Sequence, residues 1–349
     1  MNREYRLFIF IVLLTVIIPL VFVLLVNLAV DPYDYFHSPQ YRLTKVKVSL
    51  ETQQRLHKAI EIARQKPEAI FLGSSRLMAG LDPTDFHQLT GLKAYNGGFS
   101  GASMDEIEPY FEHALFHQPN LKVVIIGLDV FLFNKNKQPQ KDFSLNRLKQ
   151  GTFDLKSTLA LLMSKTALIN SFKTLQANYS TENAPRFLPH GLYNPAVVNS
   201  PQNEYLVKGD AAYLKMIFES KDFYMHYAVD DRKIDAFKRI AKKCKEKGIL
   251  LKAFFCPAKA IYWKSLYQNG LQPIIEELKK NLSQIHPIWD FSGFNCVTLE
   301  TLQNADSPLY YECSHFRPCV GRMILHKMWG TTSDPEDFGR LYPYCLVGR

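Results

Sequence analysis

The chain has 349 residues, of which 47% are hydrophobic, 13% aromatic and 21% charged, and its formal net charge is +9. This length allows one large domain or two modest ones with a sizeable core, and the aromatic content excludes a wholly disordered chain. The positive charge suits nucleic acid or an anionic surface, but the lysines are scattered along helical patterns, which favours a solvated face. We therefore expect no nucleic-acid partner. Six cysteines are too few for a disulfide scaffold.

The first element is a hydrophobic segment near the N-terminus. Residues 7–30 are apolar except for Thr15, Pro19 and Asn27. About 20 apolar residues cross a bilayer, whereas the hydrophobic part of a signal peptide has only about 7–15. This length favours a transmembrane helix over a buried core helix. No later stretch reaches about 18 apolar residues, so we expect a single-pass protein.

The flanks of this segment predict its orientation. Arg3 and Arg6 precede it, and the acidic residues Asp31 and Asp34 follow it. The positive-inside rule then leaves the N-terminus in the cytoplasm. No small-x-small cleavage pattern follows, which indicates an uncleaved anchor. We expect a protein of the cytoplasmic (inner) membrane whose chain after about residue 31 is extracytoplasmic, in the periplasm.

Export to an oxidising compartment permits disulfides. Cys313, Cys319 and Cys345 crowd the C-terminal region and allow a pair, which the sequence does not specify. Zinc is the other interpretation of clustered cysteines, but none of the spacings has the C-x2-C form. We therefore expect no metal site.

Alternating helix and strand patterns follow the anchor. Residues 44–66 form an amphipathic helical pattern, polar enough to pack loosely beyond the membrane. Short apolar runs predict buried parallel strands at residues 69–72, 121–128, 249–255 and about 288–290. A helical stripe at residues 234–244 has Asp230 or Asp231 as its cap, and Gly248 lies where the helix should stop. This alternation predicts an α/β fold, a parallel sheet with helices on both faces.

These patterns divide the chain into three parts: residues 1–30 are the cytoplasmic end and anchor, 31–66 a juxtamembrane linker with its helix, and 67–349 the α/β domain. Within that domain, residues 134–227 approximately depart from the alternation. We interpret them as an insertion or cap over the sheet, with one helical segment at residues 153–177 and a Pro/Asn-rich loop around residues 185–201.

A candidate nucleophile follows the first strand. Gly73, Ser74 and Ser75 lie between that strand and a helical pattern, at the carboxyl edge of the sheet where α/β proteins bind ligands. There, a serine's own N–H and the helix N-terminus suit a developing oxyanion. The alternative is an ordinary helix N-cap, a position that favours serine. On these residues alone, the cap is the preferred interpretation.

Three later segments favour chemistry instead. Gly97 and Gly98 lie where backbone can approach a ligand closely. Asp129 ends the second core strand. Glu312 precedes His315 by three residues, a spacing that lets a carboxylate fix an imidazole while its other nitrogen faces a serine.

Together these residues resemble the SGNH/GDSL hydrolase superfamily, whose four sequence blocks occur in this order. The match is closest to its membrane-anchored, exported branch, which includes the D-alanyl-transfer and alginate-acetylation proteins of bacterial envelopes. The blocks fall on Gly73-Ser74-Ser75, on Gly97 or Gly98, on Gly127-Leu128-Asp129-Val130 and on Glu312-Cys313-Ser314-His315. The resemblance implies an SGNH-like (flavodoxin-like) three-layer fold.

The resemblance also implies acyl-ester transfer or hydrolysis on an envelope carbohydrate or polymer. In this interpretation Ser75 attacks the acyl carbonyl, His315 acts as base and then acid, and Glu312 orients the imidazole. Glu312 stands where the family usually has Asp, which is tolerable because other serine hydrolases use Glu. No metal or diffusible cofactor is implied.

The oxyanion hole departs from the family pattern. Asp129 replaces an Asn that normally donates to the oxyanion, and an ionised carboxylate only accepts hydrogen bonds. The hole would then depend on the N–H groups of Ser75 and of Gly97 or Gly98. Losing one donor costs about 10²–10³ in rate, which favours a slow transferase or a site completed by a partner. For Arg76 we expect one of two roles: it binds an anionic group of the substrate, or it forms an ion pair at the surface.

Two functions from different classes therefore remain. The first is a serine acyltransferase or esterase that receives its acyl group from a multi-pass O-acyltransferase. The second is a catalytically inactive SGNH-like scaffold that binds such a transferase or a glycan. The Ser75, His315 and Glu312 set favours the enzyme, and Asp129 with the altered first block favours the scaffold.

Overall fold

The computed structural model describes residues 3–37, 41–150, 155–179, 184–199, 204–301, 307–332 and 335–342. The strands are β1 (Ala69–Leu72), β2 (Ala94–Asn96), β3 (Val123–Leu128), β4 (Leu250–Phe255), β5 (Ile288–Asp290) and β6 (Arg340–Tyr342). The helices are α1 (Arg3–Val30), α2 (Gln54–Gln65), α3 (Ser75–Gly80), α4 (Pro83–Thr90), α5 (Met104–His117), α6 (Leu145–Gln150), α7 (Leu155–Leu162), α8 (Lys165–Tyr179), α9 (Pro195–Val198), α10 (Glu204–Glu219), α11 (Asp231–Glu246), α12 (Ala260–Gln268), α13 (Gln272–Ile285) and α14 (Pro318–Met328). Short 3-10 helices cover Val48–Leu50 and Val130–Phe133.

The strands form one sheet in the order β2-β1-β3-β4-β5-β6. All neighbouring pairs are parallel except β5 and β6, which are antiparallel. The α/β fold and the four predicted strands are confirmed. The edge strand β6 was not expected, because its three residues are partly or fully exposed and form no apolar run.

Side chains alternate between two cores on opposite faces of the sheet. Ile70 and Leu72 belong to the core that contains residues of α2, α5, α11 and α13. Ala69 and Phe71 belong to the core that contains residues of α4 and α14. Both faces are therefore covered by helices, which explains why the strands read as continuous apolar runs. Asp230 caps α11, because its carboxylate accepts the Arg232 N–H at 3.0 Å.

The N-terminal helix α1 is long and apolar enough to cross a membrane. Its most apolar 18 residues have a mean hydropathy of 3.4 and are not buried within the structure. Asn27, near its C-terminal end, is buried against the α7–α8 hairpin. Its amide donates to the Leu162 carbonyl at 2.5 Å, and its carbonyl oxygen accepts the Ser171 hydroxyl at 2.8 Å. The insertion therefore packs on the end of α1.

The helix expected at residues 44–66 is shorter and more buried than predicted. It begins only at Gln54, because Val46 hydrogen-bonds through both backbone groups to the Asn178 side chain of α8 rather than to its own turn. Ala59 and Ile62 of α2 lie in the main core. The expectation of loose packing is therefore wrong.

The insertion also differs from its prediction. The single helix expected at residues 153–177 is two helices, α7 and α8, with a break at Met163 and Ser164. Residues 151–154 lie outside the described ranges. The loop around residues 185–201 contains the short helix α9, and α10 follows with a backbone kink at Gly209, whose φ is 68°.

Candidate active site

Ser75 lies where the chain turns from β1 into α3. The turn is built by Ser74, whose hydroxyl accepts the Arg76 N–H at 3.2 Å and so caps the helix. Ser75 is therefore the first helical residue, and it is partly exposed while Gly73, Ser74 and Arg76 are buried. The two serines have different roles: Ser74 is the cap, and the Ser75 hydroxyl reaches the surface.

The structure brings Ser75, His315 and Glu312 together. The Ser75 Oγ lies 2.8 Å from His315 Nε2, and His315 Nδ1 contacts Glu312 Oε1. A carboxylate only accepts hydrogen bonds, so Nδ1 carries the hydrogen and Nε2 is left to accept the serine proton. These contacts join residues that are 240 positions apart in the chain.

Glu312 is held by backbone as well as by the imidazole. Its two oxygens accept the N–H groups of Ser314 at 2.9 Å and of His315 at 2.8 Å. Burial raises the pKa of Glu312, but the charge and hydrogen bond of His315 and the backbone donors outweigh it, so the net pKa is lowered. The carboxylate is thus ionised at neutral pH and fixes the orientation of the ring.

A buried polar chain, which the sequence did not reveal, supports these groups. Arg76 donates from Nε to the Ser314 hydroxyl and from Nη1 to Asp129 Oδ1, both at 2.8 Å. Asp129 Oδ2 accepts the Ser74 hydroxyl at 2.5 Å. This series of hydrogen bonds therefore links Ser74, the N-cap of helix α3, to Ser314, the residue before His315.

These contacts correct two expectations. Arg76 forms neither a surface ion pair nor an open anion site, because it is only 2% exposed and is paired with buried Asp129. Its guanidinium also lies 4.4 Å from the centroid of the Tyr262 ring. Asp129 lies at the end of β3 as expected, but its carboxylate is committed to Arg76 and Ser74. In the structure the two side chains bond to each other and to the neighbouring serines Ser74 and Ser314.

Tyr213 of α10 was also missed by the sequence analysis. Its hydroxyl donates to the Ser314 Oγ at 3.0 Å, and its ring packs edge-on against His315 with the centroids 5.9 Å apart. The insertion thus contributes a buried side chain beside the imidazole. The sequence around Tyr213 has no motif that indicates this role, because Tyr213 reaches His315 only when α10 docks on the domain.

The glycines of the second block do not supply free donors. The Gly97 N–H donates to the Phe71 carbonyl at 2.8 Å, and the Gly98 N–H donates to the Asn96 Oδ1 at 3.0 Å. A Cβ on Gly98 would lie 3.0 Å from the Met78 nitrogen, so this glycine allows backbone to approach backbone rather than a ligand. The expectation that these N–H groups line the oxyanion hole is therefore wrong for this conformation.

Of the expected donors, the Ser75 N–H is the one without a hydrogen-bond partner among the residues that the structure describes. As the first residue of α3, Ser75 has no partner for its N–H within the helix.

Asn96 explains the arrangement of the second block, because its amide donates to the carbonyls of Leu77 at 3.0 Å and of Leu81 at 2.8 Å. The asparagine thus ties the end of β2 to α3 and fixes the helix that carries Ser75.

The region next to the triad is a poor metal site. Asp210, Glu312 and Cys313 offer ligand atoms within 4.8 Å of one another. However, Glu312 is engaged by His315, and burial, followed by the charge of Glu312, raises the pKa of the Cys313 thiol well above its ordinary value. A protonated thiol is not a metal ligand. Cys313 and Cys319 are both unpaired, and Cys345 lies outside the described residues.

The chemistry that this arrangement allows is that of an activated serine. A hydroxyl next to an imidazole, itself oriented by an ionised carboxylate, is a nucleophile with a general base. No family model matches the sequence, and a search of curated proteins finds no significant match.

Proposed function

We propose that this protein is a membrane-anchored serine acyltransferase or esterase of the SGNH/GDSL type that acts on an envelope carbohydrate or polymer. The observation that carries the proposal is the position of the His315 imidazole between the Ser75 hydroxyl, 2.8 Å away, and the buried Glu312 carboxylate. A serine that only caps a helix has no need of a histidine beside its hydroxyl or of a buried carboxylate bonded to that histidine. The N-cap role belongs to Ser74 instead.

The reaction proceeds through an acyl-enzyme. Ser75 Oγ attacks the acyl carbonyl while His315 Nε2 takes its proton. The tetrahedral intermediate collapses, the donor's leaving group departs with the proton from His315, and the acyl group stays on Ser75. An acceptor hydroxyl or water then attacks this ester and gives its proton to His315, which returns it to Ser75 as the product leaves. Glu312 stabilises the imidazolium in both halves.

The sheet topology supports the family assignment. The order β2-β1-β3-β4-β5 is the doubly wound order of flavodoxin-like folds, in which ligands bind beyond the carboxyl ends of the strands. Ser75 follows β1, and Asp129 follows β3, the strand next to it in the sheet. The motif blocks that contain Ser75 and Asp129 therefore follow adjacent strands at the carboxyl edge of the sheet, which supports an SGNH-like site.

The oxyanion hole argues for slow acyl transfer rather than fast hydrolysis. The Ser75 N–H is available, but those of Gly97 and Gly98 are already bonded. Each missing donor costs about 10²–10³ in rate. We infer that a partner or the substrate rearranges the second block, and a multi-pass O-acyltransferase that presents the acyl donor fits this need.

The membrane context completes the proposal. Helix α1 is long and apolar enough for one crossing, with Arg3 and Arg6 before its apolar run. By the positive-inside rule the N-terminus is cytoplasmic and the α/β domain is periplasmic. An enzyme on that side meets envelope polymers and no nucleic acid.

The alternative is an inactive SGNH-like scaffold for an O-acyltransferase or a glycan. The bonded N–H groups of Gly97 and Gly98 favour it, because they leave the site without a complete oxyanion hole. The scaffold needs no reactive serine. The reactivity of Ser75 therefore separates the two functions.

A serine-directed fluorophosphonate tests this reactivity on the full-length chain in detergent. We expect Ser75 Oγ to displace fluoride and become labelled. The label should be absent in Ser75→Ala and greatly reduced in His315→Ala, since the hydroxyl is a weak nucleophile without its base.

Ser74→Ala is the matched control. It removes the neighbouring hydroxyl, which caps α3 and donates to Asp129, so most of the labelling should persist although the protein loses about 0.5–2 kcal/mol of stability. Failure of the folded wild-type chain to be labelled, or restoration of cellular function by Ser75→Ala at normal expression, would favour the scaffold.

A further inference from the structure

Four potential metal ligands meet where the chain leaves helix α1. Asp34 and His37 lie in the turn that follows this helix, and His57 and Glu61 lie one turn apart on α2. We call these four residues the juxtamembrane cluster. Asp34 and His37 both have a positive φ, of 55° and 50°, which L-residues adopt rarely. The turn is thus bent in a way that brings both side chains toward α2.

The spacing of the cluster suits one small cation. Ligand atoms of Asp34, His57 and Glu61 lie within 4.8 Å of one another. His37 lies 3.3 Å from an Asp34 oxygen through Nδ1 and 3.6 Å from a Glu61 oxygen through Nε2. Zinc bonds of about 2.0–2.2 Å in a tetrahedron place neighbouring ligand atoms about 3.4 Å apart. Small side-chain rotations are therefore enough to surround an ion.

A second observation points to a missing ligand. The Asp34 Oδ1 and the His57 Nδ1 are buried and have no hydrogen-bond partner among the residues that the structure describes. Asp34 is 8% exposed and His57 is 6% exposed. A buried polar atom without a partner costs about 1–3 kcal/mol. Two such atoms in one cluster of potential ligands are explained at once if both residues bind the same ion.

The surroundings orient the ligands as an outer shell does. Glu61 Oε2 accepts the Gln65 amide at 2.8 Å, and Glu61 Oε1 is contacted by the Arg64 guanidinium. Arg64 also donates to the carbonyls of Asp34, at 3.2 Å, and of Tyr35. It thereby holds the turn against α2. The ammonium groups of Lys47 and Lys58 also lie near the two carboxylates, with Lys47 facing Asp34 and Lys58 facing Glu61.

The two histidines complete the coordination differently. His57 is buried, and its Nδ1 has no hydrogen-bond partner among the described residues, so this nitrogen is available to bind an ion. The side chain of His37 is 48% exposed and lies at the open side of the cluster. His37 therefore offers a ligand on the solvent-facing side of the cluster.

We propose that the juxtamembrane cluster binds one divalent transition-metal ion of the zinc class through Asp34, His57 and Glu61, with His37 as the fourth ligand. Mixed imidazole and carboxylate ligands suit zinc, whereas calcium and magnesium take oxygen ligands alone. The ion fastens the turn after α1 to α2. A search for cysteine spacings misses such a site, because its ligands come as two pairs separated by 19 residues between His37 and His57.

Zinc binding to the full-length chain in detergent tests the proposal. After treatment with a chelator and dialysis, the chain should bind one zinc per molecule, measured by elemental analysis and by competition with a chelating dye. Its melting temperature should rise with zinc. His57→Gln and Asp34→Asn should each weaken zinc binding by about 10–100-fold or more, because even outer-shell changes have effects of that size.

His326→Gln is the matched control, since His326 is a partly exposed histidine on α14 that contacts Thr331 and lies outside the cluster. It should bind zinc as the wild type does. The proposal is overturned if the wild type binds no stoichiometric zinc, or if His57→Gln and Asp34→Asn retain full affinity, which would assign the ion to other groups such as exposed thiols. If His57→Gln does not fold, Asp34→Asn and the zinc-dependent melting of the wild type still decide the question.

Discussion

The most consequential residue beside the triad is Asp129. A carboxylate at the end of β3 cannot donate to an oxyanion, and here it accepts hydrogen bonds from Ser74 and Arg76 instead. Arg76 in turn donates to Ser314, which lies next to His315 in the chain. The ion pair therefore fixes the first and last motif blocks relative to each other, and the geometry of the triad depends on it.

Replacing one partner of this buried pair should be costly. Asp129→Leu leaves the Arg76 guanidinium buried without its counter-charge, and we expect a loss of about 3–5 kcal/mol in the free energy of unfolding. The double variant Arg76→Met/Asp129→Leu removes both charges and should lose clearly less than the sum of the two single changes. Urea unfolding followed by tryptophan fluorescence measures this. Additive losses would contradict the ion-pair role of Asp129.

At the scale of elements, Lys58 joins three parts of the fold. It lies on α2, is fully buried, and donates to the carbonyls of Asn96 at 2.7 Å and of Gly191 at 2.5 Å. Its ammonium group also lies 4.4 Å from the centroid of the Phe187 ring. Helix α2, the second motif block and the loop of the insertion are thus held together by one lysine side chain. Burial lowers its pKa from its ordinary value to about 7.

This pKa predicts how stability depends on pH. Between about pH 7 and 10 the unfolded chain binds a proton at Lys58 that the folded chain does not, so the free energy of unfolding should rise with pH. Below about pH 7 Lys58 is protonated in the folded state as well. The buried charge then lowers the free energy of unfolding by its full amount. The difference in unfolding free energy, wild type minus Lys58→Met, should therefore increase over this range.

The control for this experiment is Lys238→Met, which changes an exposed lysine of α11. Its difference from the wild type should stay constant with pH over the same range. A flat or falling difference for Lys58→Met would mean that Lys58 keeps its proton in the folded protein.

On the scale of the whole molecule, the apolar helix α1 and the α/β domain are packed together. Asn27 at the end of α1 bonds to both helices of the α7–α8 hairpin. The Asn170 amide donates to the Tyr33 hydroxyl at 3.0 Å, just after the anchor. The α/β domain thus packs directly on the C-terminal end of helix α1.

The topology of the proposed function is testable on this scale. A phosphatase that is active only outside the cytoplasm, fused after residue 349, should be active in intact cells, because Arg3 and Arg6 retain the N-terminus inside. The same phosphatase placed at the N-terminal side of the apolar run, with the rest of the chain following it, should be inactive. Activity of the second fusion and not the first would reverse the orientation and exclude a periplasmic enzyme.

Periodic, local signals explain what could be predicted from the sequence. The apolar runs at residues 69–72 and 249–255 predicted strands because strands buried on both faces need apolar residues throughout. The predicted helix at residues 44–66 failed over its first ten residues, where the Asn178 side chain competes for the backbone of Val46. The single helix at residues 153–177 failed because the pattern does not mark the break at Met163.

The sequence by itself determined the long apolar helix α1 and the α/β alternation, because apolar periodicity is a property of neighbouring residues. The grouping of Ser75 with Glu312 and His315 was predicted from the family resemblance and its motif order. Only the tertiary structure decided which polar atoms stay available. The N–H groups of Gly97 and Gly98 are bonded by Phe71 and Asn96. Such pairings depend on where separate strands and helices meet in space. The sequence does not specify these hydrogen bonds locally, so they form only when the strands and helices pack together.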